Sequence, residues 1–144
     1  RQRQMCIRDS RGIAHEIVIN SDGLNHPIYK DKNKIFNTPA FNYDEVVTLP
    51  KDAILLSSNK VNNVMALNFE TEFSKIWGIQ YHPEITYEKM ITLIRFRRER
   101  LLENKSFSDE KDLESHISMI EKEDKITKKE SRMRELKNWL DLIA

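Results

Sequence analysis

Several residue types are scarce in this sequence, and each scarcity excludes a class of protein. A single cysteine among 144 residues excludes an internal disulfide framework and a Cys-x-x-Cys metal site. Lysine and arginine number 24 against 23 aspartates and glutamates, so the net charge gives no argument for a nucleic-acid or acidic-membrane partner. The apolar runs, such as residues 53–56, are only a few residues long, and none could span a bilayer.

The remaining composition is that of a soluble globular protein. Hydrophobic residues make up 39% of the chain and charged residues 33%, with only 3 glycines and 4 prolines. This length suits one ordinary domain and is too short for two. Short β-type runs separated by turn residues predict strands over 14–19, 46–49, 53–58, 64–69 and 75–81.

After Pro83 the apolar residues recur at helical spacing. They predict one helix over 87–101 and a second that begins near Ser106. A third helix is predicted around 133–143, behind a capping box formed by Thr127 and Glu130. The four histidines show no ligand-type spacing, so neither a metal nor another cofactor is expected.

The heptapeptide Gly-Ile-Gln-Tyr-His-Pro-Glu at residues 78–84 is the stretch that carries recognisable chemistry. His82 and Glu84 are two positions apart, and in extended backbone such side chains point the same way. Pro83 fixes one backbone angle between them and disfavours helix at His82. A carboxylate beside an imidazole orients the ring and stabilises its protonated form. His82 is therefore a candidate general base with Glu84 as its partner, while an ordinary surface pair fits the spacing as well.

The whole heptapeptide resembles the C-terminal signature of class I glutamine amidotransferases, a family that includes the amidotransferase domain of GMP synthase. The resemblance extends along most of residues 11–144. The further matching segments are Arg11-Gly12, Asp22-Gly23, His26-Pro27-Ile28-Tyr29, Pro39-Ala40, Asp44-Glu45-Val46, Leu49-Pro50 and the helix containing Arg134-Glu135-Leu136.

This resemblance implies an α/β fold, namely the three-layer flavodoxin-like class I amidotransferase fold, present in part and without its N-terminal half. Residues 11–104 would be the C-terminal part of the amidotransferase domain, and residues 105–144 a helical C-terminal extension. The implied substrate is L-glutamine. The implied reaction is attack by a cysteine thiolate on the side-chain amide, release of ammonia, and hydrolysis of a γ-glutamyl thioester. His82 would transfer the proton, and Glu84 would orient the imidazole ring of His82. The implied partner is an ammonia-accepting synthase.

The sequence departs from the family at the nucleophile, which the family carries in a Gly-x-Cys-x-Gly turn. Cys6 lacks those glycines, and residues 5–10 resemble a translated transposon end used in preparing sequencing libraries. Residues 1–10 are therefore interpreted as a non-native leader. The chain is expected to begin inside the domain, just after the true cysteine, and to be inactive alone.

A second departure lies at Asn42, where the family often has histidine. Asn42 and Tyr43 are candidate contacts to the substrate's α-amino or carboxylate group, and ordinary loop residues are an equal alternative.

Two other functions are compatible with the sequence. One is a hydrolase of γ-glutamyl amides other than glutamine, on the same fold. The other is a non-catalytic binding or regulatory module that has lost the thiol, although the presence of both His82 and Glu84 favours an enzyme. With no targeting signal and no disulfide framework, the expected location is the cytoplasm, and neither a membrane nor a nucleic acid is an expected partner.

Overall fold

A computed structural model describes residues 11–42 and 44–144 of the chain. These residues form an α/β protein with one five-stranded sheet, short helical segments between its first two strands, and further helices after its last strand. The strands are β1 (Ala14–Ile19), β2 (Ile35–Thr38), β3 (Ile54–Ser58), β4 (Ala66–Glu70) and β5 (Lys75–Ile79). The helices are α1 (Ser21–Leu24), a 3-10 turn (Pro27–Tyr29), α2 (Tyr87–Phe96), α3 (Arg98–Glu103), α4 (Glu110–Ile126), α5 (Lys129–Arg132) and α6 (Arg134–Ile143).

The sheet has the strand order β2-β1-β3-β4-β5, and every neighbouring pair in it is antiparallel. An α/β protein is what the sequence predicts. A flavodoxin-like sheet is mostly parallel, so the three-layer flavodoxin-like arrangement stays a prediction. The division into an amidotransferase part at residues 11–104 and a helical extension at residues 105–144 also stays a prediction.

Four of the five predicted strands are confirmed within two residues at each end, and the fifth is wrong. Residues 46–49 form no strand, because they have no neighbour to pair with in the described sheet and Val47 is 83% exposed. The missed strand is β2, a short edge strand of only four residues that pairs with β1. Its pattern is too brief for alternation to reveal it.

The three predicted helical regions are confirmed, but the described residues after Pro83 form five helices in them. The stripe predicted over 87–101 is divided between α2 and α3 at Arg97. Asp109 caps α4 by accepting a hydrogen bond from the backbone N–H of Asp112 at 2.8 Å. The capping box is wrong: Thr127 ends α4 and its hydroxyl donates to the Glu123 carboxylate at 3.0 Å.

Two clusters of buried side chains hold these elements together. The first lies on one face of the sheet and includes Ile17, Ile19 and Tyr81. The second lies between helices and includes Ile94 of α2 and Ile117 of α4. The 17-residue helix α4 thus packs through an apolar stripe while its remaining face is charged, as an amphipathic helix does. None of the described helices is long and apolar enough to cross a membrane.

Gly23 marks a close approach of α1 to β3. A Cβ atom there would overlap the carbonyl oxygen of Leu56 and lie 2.6 Å from Cγ2 of Ile19. Gly23→Ala is therefore expected to lower the free energy of unfolding by about 1–3 kcal/mol through overpacking, measured by chemical denaturation. Gly78→Ala is the matched control, because its Cβ would lie 3.4 Å from the nearest atom, in Leu67. Equal stability of the two variants would contradict this packing.

Candidate active site

The candidate site lies in the turn that follows the last strand of the sheet. β5 ends at Ile79, and the backbone N–H of Gln80 still donates to the carbonyl of Met65 at 2.8 Å. The chain then leaves the sheet, and the N–H of His82 donates to the Pro39 carbonyl at 2.8 Å. The turn closes with a hydrogen bond of 3.2 Å from the Ile85 N–H to the His82 carbonyl. His82 therefore lies three residues beyond the strand rather than within it.

The structure brings His82 and Glu84 together. Nδ1 of His82 lies 2.8 Å from Oε1 of Glu84. An ionised carboxylate can only accept a hydrogen bond, so the imidazole donates from Nδ1 and its Nε2 is the proton acceptor. The two side chains are 42% and 52% exposed, which leaves this acceptor open to a substrate.

The Tyr81 side chain is buried in the core on the sheet and anchors the turn there. Its hydroxyl donates to Oε1 of Glu135 at 2.9 Å and lies 2.9 Å from the hydroxyl of Tyr29, which reaches Oγ of Ser57 at 2.7 Å. Burial holds the pKa of Tyr81 well above its ordinary value, and the neighbouring Tyr29 and Glu135 raise it further. Tyr81 is thus a structural hydrogen-bond donor.

Glu135 is held on its other side by a buried lysine. Nζ of Lys32 lies 3.1 Å from Oε2 of Glu135, and the two side chains are 2% and 1% exposed. Nζ also donates to the Ser131 carbonyl at 2.7 Å. Burial lowers the pKa of Lys32, and the adjacent Glu135 carboxylate partly offsets this effect. The pair fixes α6 against the segment that precedes β2.

A second buried side chain reaches the turn from α5. Arg132 is 7% exposed, and its Nη1 donates to the carbonyl of Pro83 and, at 3.0 Å, to the carbonyl of Ile85. Arg132 and Glu135 are absent from the sequence-based site because no sequence pattern places residues of the last helices beside the heptapeptide at 78–84.

The two predicted substrate contacts have different outcomes. The side-chain amide of Asn42 donates to the carbonyl of Gln80, so Asn42 lies beside the turn that carries His82. Tyr43 lies outside the described residues, as does Cys6. The substrate-binding role of Asn42 and Tyr43 stays a prediction.

The other histidines serve the fold or the surface. His116 donates from Nε2 to the Arg11 carbonyl at 2.6 Å, and burial lowers its pKa. His26 accepts a hydrogen bond at Nδ1 from the N–H of Ile28 at 3.2 Å and packs edge-on against Trp77. Within the described ranges no three metal-ligating side chains cluster.

A cleft of about 560 Å³ is lined in part by residues of α5 and of the segment before it. It lies between β2 and the end of α4. Lys32, Ile35, Glu123, Lys128 and Arg132 are among its lining residues. It shares Lys32 and Arg132 with the network behind the turn and does not include His82 or Glu84.

Comparison with known proteins gives one informative similarity. Neither a family model nor a solved structure matches the chain. The chain is 28% identical over 147 aligned positions to gamma-glutamyl-L-1-hydroxyisopropylamide hydrolase of Pseudomonas sp. The alignment covers 91% of this chain and 50% of that protein, so the chain spans about half the length of this relative. The similarity supports a hydrolase of the amidotransferase-like family.

Proposed function

We propose that this chain supplies the histidine and the carboxylate of a Cys-His-Glu triad in a hydrolase of γ-glutamyl amides related to class I glutamine amidotransferases. The observation that carries the proposal is the 2.8 Å hydrogen bond between Nδ1 of His82 and Oε1 of Glu84 within the heptapeptide at 78–84. The similarity to a named γ-glutamyl amide hydrolase supports the same chemistry independently of this geometry.

In the proposed reaction, Nε2 of His82 takes the proton of a cysteine thiol as the sulfur attacks the γ-carbonyl carbon. The C–N bond then breaks, and the imidazolium gives its proton to the leaving amine. Next, His82 takes a proton from water as the water oxygen attacks the γ-glutamyl thioester. Glutamate leaves, and the proton returns to the sulfur. Glu84 stabilises the imidazolium in both halves through Nδ1.

The cysteine itself is proposed to lie in a Gly-x-Cys-x-Gly turn encoded ahead of Arg11, and Cys6 is not assigned this role. Exposed apolar side chains on one face of the sheet support the proposal that a further segment covers it. Val18, Ile35 and Ile76, which lie opposite the face of Ile17 and Ile19, are 36%, 57% and 36% exposed. A further layer over these side chains would complete a three-layer domain and remove apolar surface from water.

The leaving group distinguishes two candidate substrates. L-Glutamine, which releases ammonia, is the substrate that the resemblance implies, and a synthase would then accept the ammonia. An N-alkyl γ-glutamyl amide is the second candidate, and the hydroxyisopropylamide in the name of the relative favours it. An amine product of that kind needs no ammonia-accepting partner.

The test uses the completed protein, which is the product of the coding sequence continued upstream of the Arg11 codon. Glutamate release is measured from L-glutamine and from γ-glutamyl-L-1-hydroxyisopropylamide. Release from either one supports the proposed function, and the ratio of the two kcat/KM values assigns the substrate class. No release from either substrate by folded protein would instead support the non-catalytic module.

A further inference from the structure

The turn that carries His82 and Glu84 is held from behind by polar side chains of the last two helices. Upstream of the dyad, Glu135 of α6 accepts a hydrogen bond from the Tyr81 hydroxyl. Downstream, Arg132 of α5 donates to backbone carbonyls. The sequence separations are 54 and 49 residues, so these contacts are tertiary and do not belong to the local turn.

Arg132 contacts the backbone on both sides of Glu84. One nitrogen, Nη1, donates to the carbonyls of Pro83 and Ile85, which flank Glu84 directly. The Pro83 carbonyl belongs to the peptide unit before Glu84 and the Ile85 carbonyl to the unit that follows Ile85, so one guanidinium nitrogen restrains the backbone on both sides of Glu84. Arg132 thus contacts the backbone segment from which the Glu84 side chain projects.

The buried guanidinium of Arg132 is compensated by hydrogen bonds rather than by a counter-charge. Among the residues that the structure describes, no carboxylate forms an ion pair with Arg132, although its exposure is only 7%. Burying a charge without a counter-charge is unfavourable unless hydrogen bonds compensate for the lost water. The carbonyls of Pro83 and Ile85 supply those hydrogen bonds, so the buried guanidinium is tied to the backbone around Glu84.

Glu84 depends on such support because little else restrains it. Its side chain is 52% exposed, and its hydrogen bond to His82 is short and directional. The local turn contributes one backbone hydrogen bond, from Ile85 to His82, at 3.2 Å. A small rotation of the Pro83 or Ile85 peptide unit would carry Oε1 beyond hydrogen-bond distance of Nδ1.

We propose that Arg132 is a positioning residue for the reaction, acting through the backbone on either side of Glu84 to keep the His82 imidazole oriented. This inference rests on the proposed function of the His82–Glu84 pair. The hydrogen bonds of Arg132 reach the backbone around Glu84 and not the His82 ring, so its effect is expected on turnover rather than on substrate binding.

The kinetic experiment compares three variants of the completed protein. Arg132→Gln removes the charge and the guanidinium donor. We expect kcat to fall on the order of 10-fold to 10²-fold, because a small displacement of a reacting group slows turnover by such factors. KM should be unchanged. Arg132→Lys keeps a donor and is expected to recover part of kcat. Lys137→Gln is the control, because Lys137 is exposed on α6 and pairs only with Asp141; its kcat should be that of the wild type.

A second readout is independent of turnover. In ¹⁵N-histidine-labelled completed protein, the His82 ring should show a protonated Nδ1 and an unprotonated Nε2, with the resonances assigned through His82→Gln. In Arg132→Gln the two nitrogens should move towards a mixture of tautomers. If Arg132→Gln does not fold, Arg132→Lys carries the same test through a smaller shift.

The outcomes separate the two ideas. If the wild type hydrolyses neither substrate, the proposed function fails, while the tautomer shift still decides whether Arg132 orients His82. If the wild type is active and His82→Ala is not, but Arg132→Gln keeps both kcat and the tautomer, the positioning role is overturned alone. A rise in KM without loss of kcat would also overturn it.

Discussion

Replacement of His82 by alanine in the completed protein is expected to lower kcat for glutamate release by about 10²–10⁴-fold or more, the range that general acid–base catalysis contributes. The proposed reaction requires Nε2 to accept a proton from the thiol, return it to the leaving amine and activate water. Alanine supplies none of these transfers. KM should change little, because the imidazole acts on the reacting atoms rather than on the glutamyl group that binds.

The fold should survive this change. The His82 side chain is 42% exposed, and the hydrogen bond from its N–H to the Pro39 carbonyl uses backbone atoms that alanine retains. His15→Ala is the matched control, since His15 is exposed on β1 and far from the turn in sequence. Wild-type kcat in a folded His82→Ala protein would remove His82 from the mechanism.

The second large effect is expected from Glu84→Gln, which should reduce kcat by about 10²-fold or more. The carboxylate stabilises the imidazolium and keeps Nδ1 protonated. A glutamine amide has no charge, and its NH₂ group donates, so it can hold the ring in the opposite tautomer. Because Glu84 is 52% exposed, the free energy of unfolding should stay within about 0.5 kcal/mol of the wild type, as at ordinary surface positions.

Glu88→Gln provides the comparison for this variant. Glu88 is an exposed carboxylate in the first turn of α2, four residues from Glu84, and it makes no contact with the histidine ring. Its substitution controls for the loss of one negative charge near the site. Equal activity of the two variants would mean that the His82–Glu84 contact is an ordinary surface pair, which the spacing of these residues alone also allows.

The β-part of the fold could be predicted where its sequence pattern is long enough. The alternation in Ala14–Ile19 buries Ile17 and Ile19 on one face, and the strand is found with the predicted bounds. Residues 46–49 have strand-forming side chains but no pairing partner, and pairing is what a sheet requires. β2 has a partner but only four residues.

The pairing of His82 with Glu84 could be predicted because it is local. Two positions around a proline restrict the backbone enough that the side chains meet. The support behind them could not be predicted in the same way. Arg132, Glu135 and Lys32 are far from the heptapeptide in sequence, and tertiary contacts between distant segments bury their side chains.

α6 shows why helical patterns can mislead. Its apolar side chains Trp139, Leu140 and Ile143 are 46%, 54% and 60% exposed, while Glu135 and Asn138 are buried. Asn138 donates to the carbonyls of Ile28 and Lys30 at 2.8 and 2.9 Å. Polar residues face inward here because unpaired backbone carbonyls and a lysine are there to meet them, which no periodicity rule records.

The most direct measurement is the DNA sequence upstream of the Arg11 codon, recovered by amplification outward from this region of the source sample. We expect an open frame that encodes a Gly-x-Cys-x-Gly turn shortly before Arg11, in place of residues 1–10. That result would supply the thiol that the His82–Glu84 pair is proposed to serve. If residues 1–10 are instead encoded there with no Gly-x-Cys-x-Gly turn ahead of Arg11, a Cys-His-Glu hydrolase with a nucleophile ahead of Arg11 is contradicted.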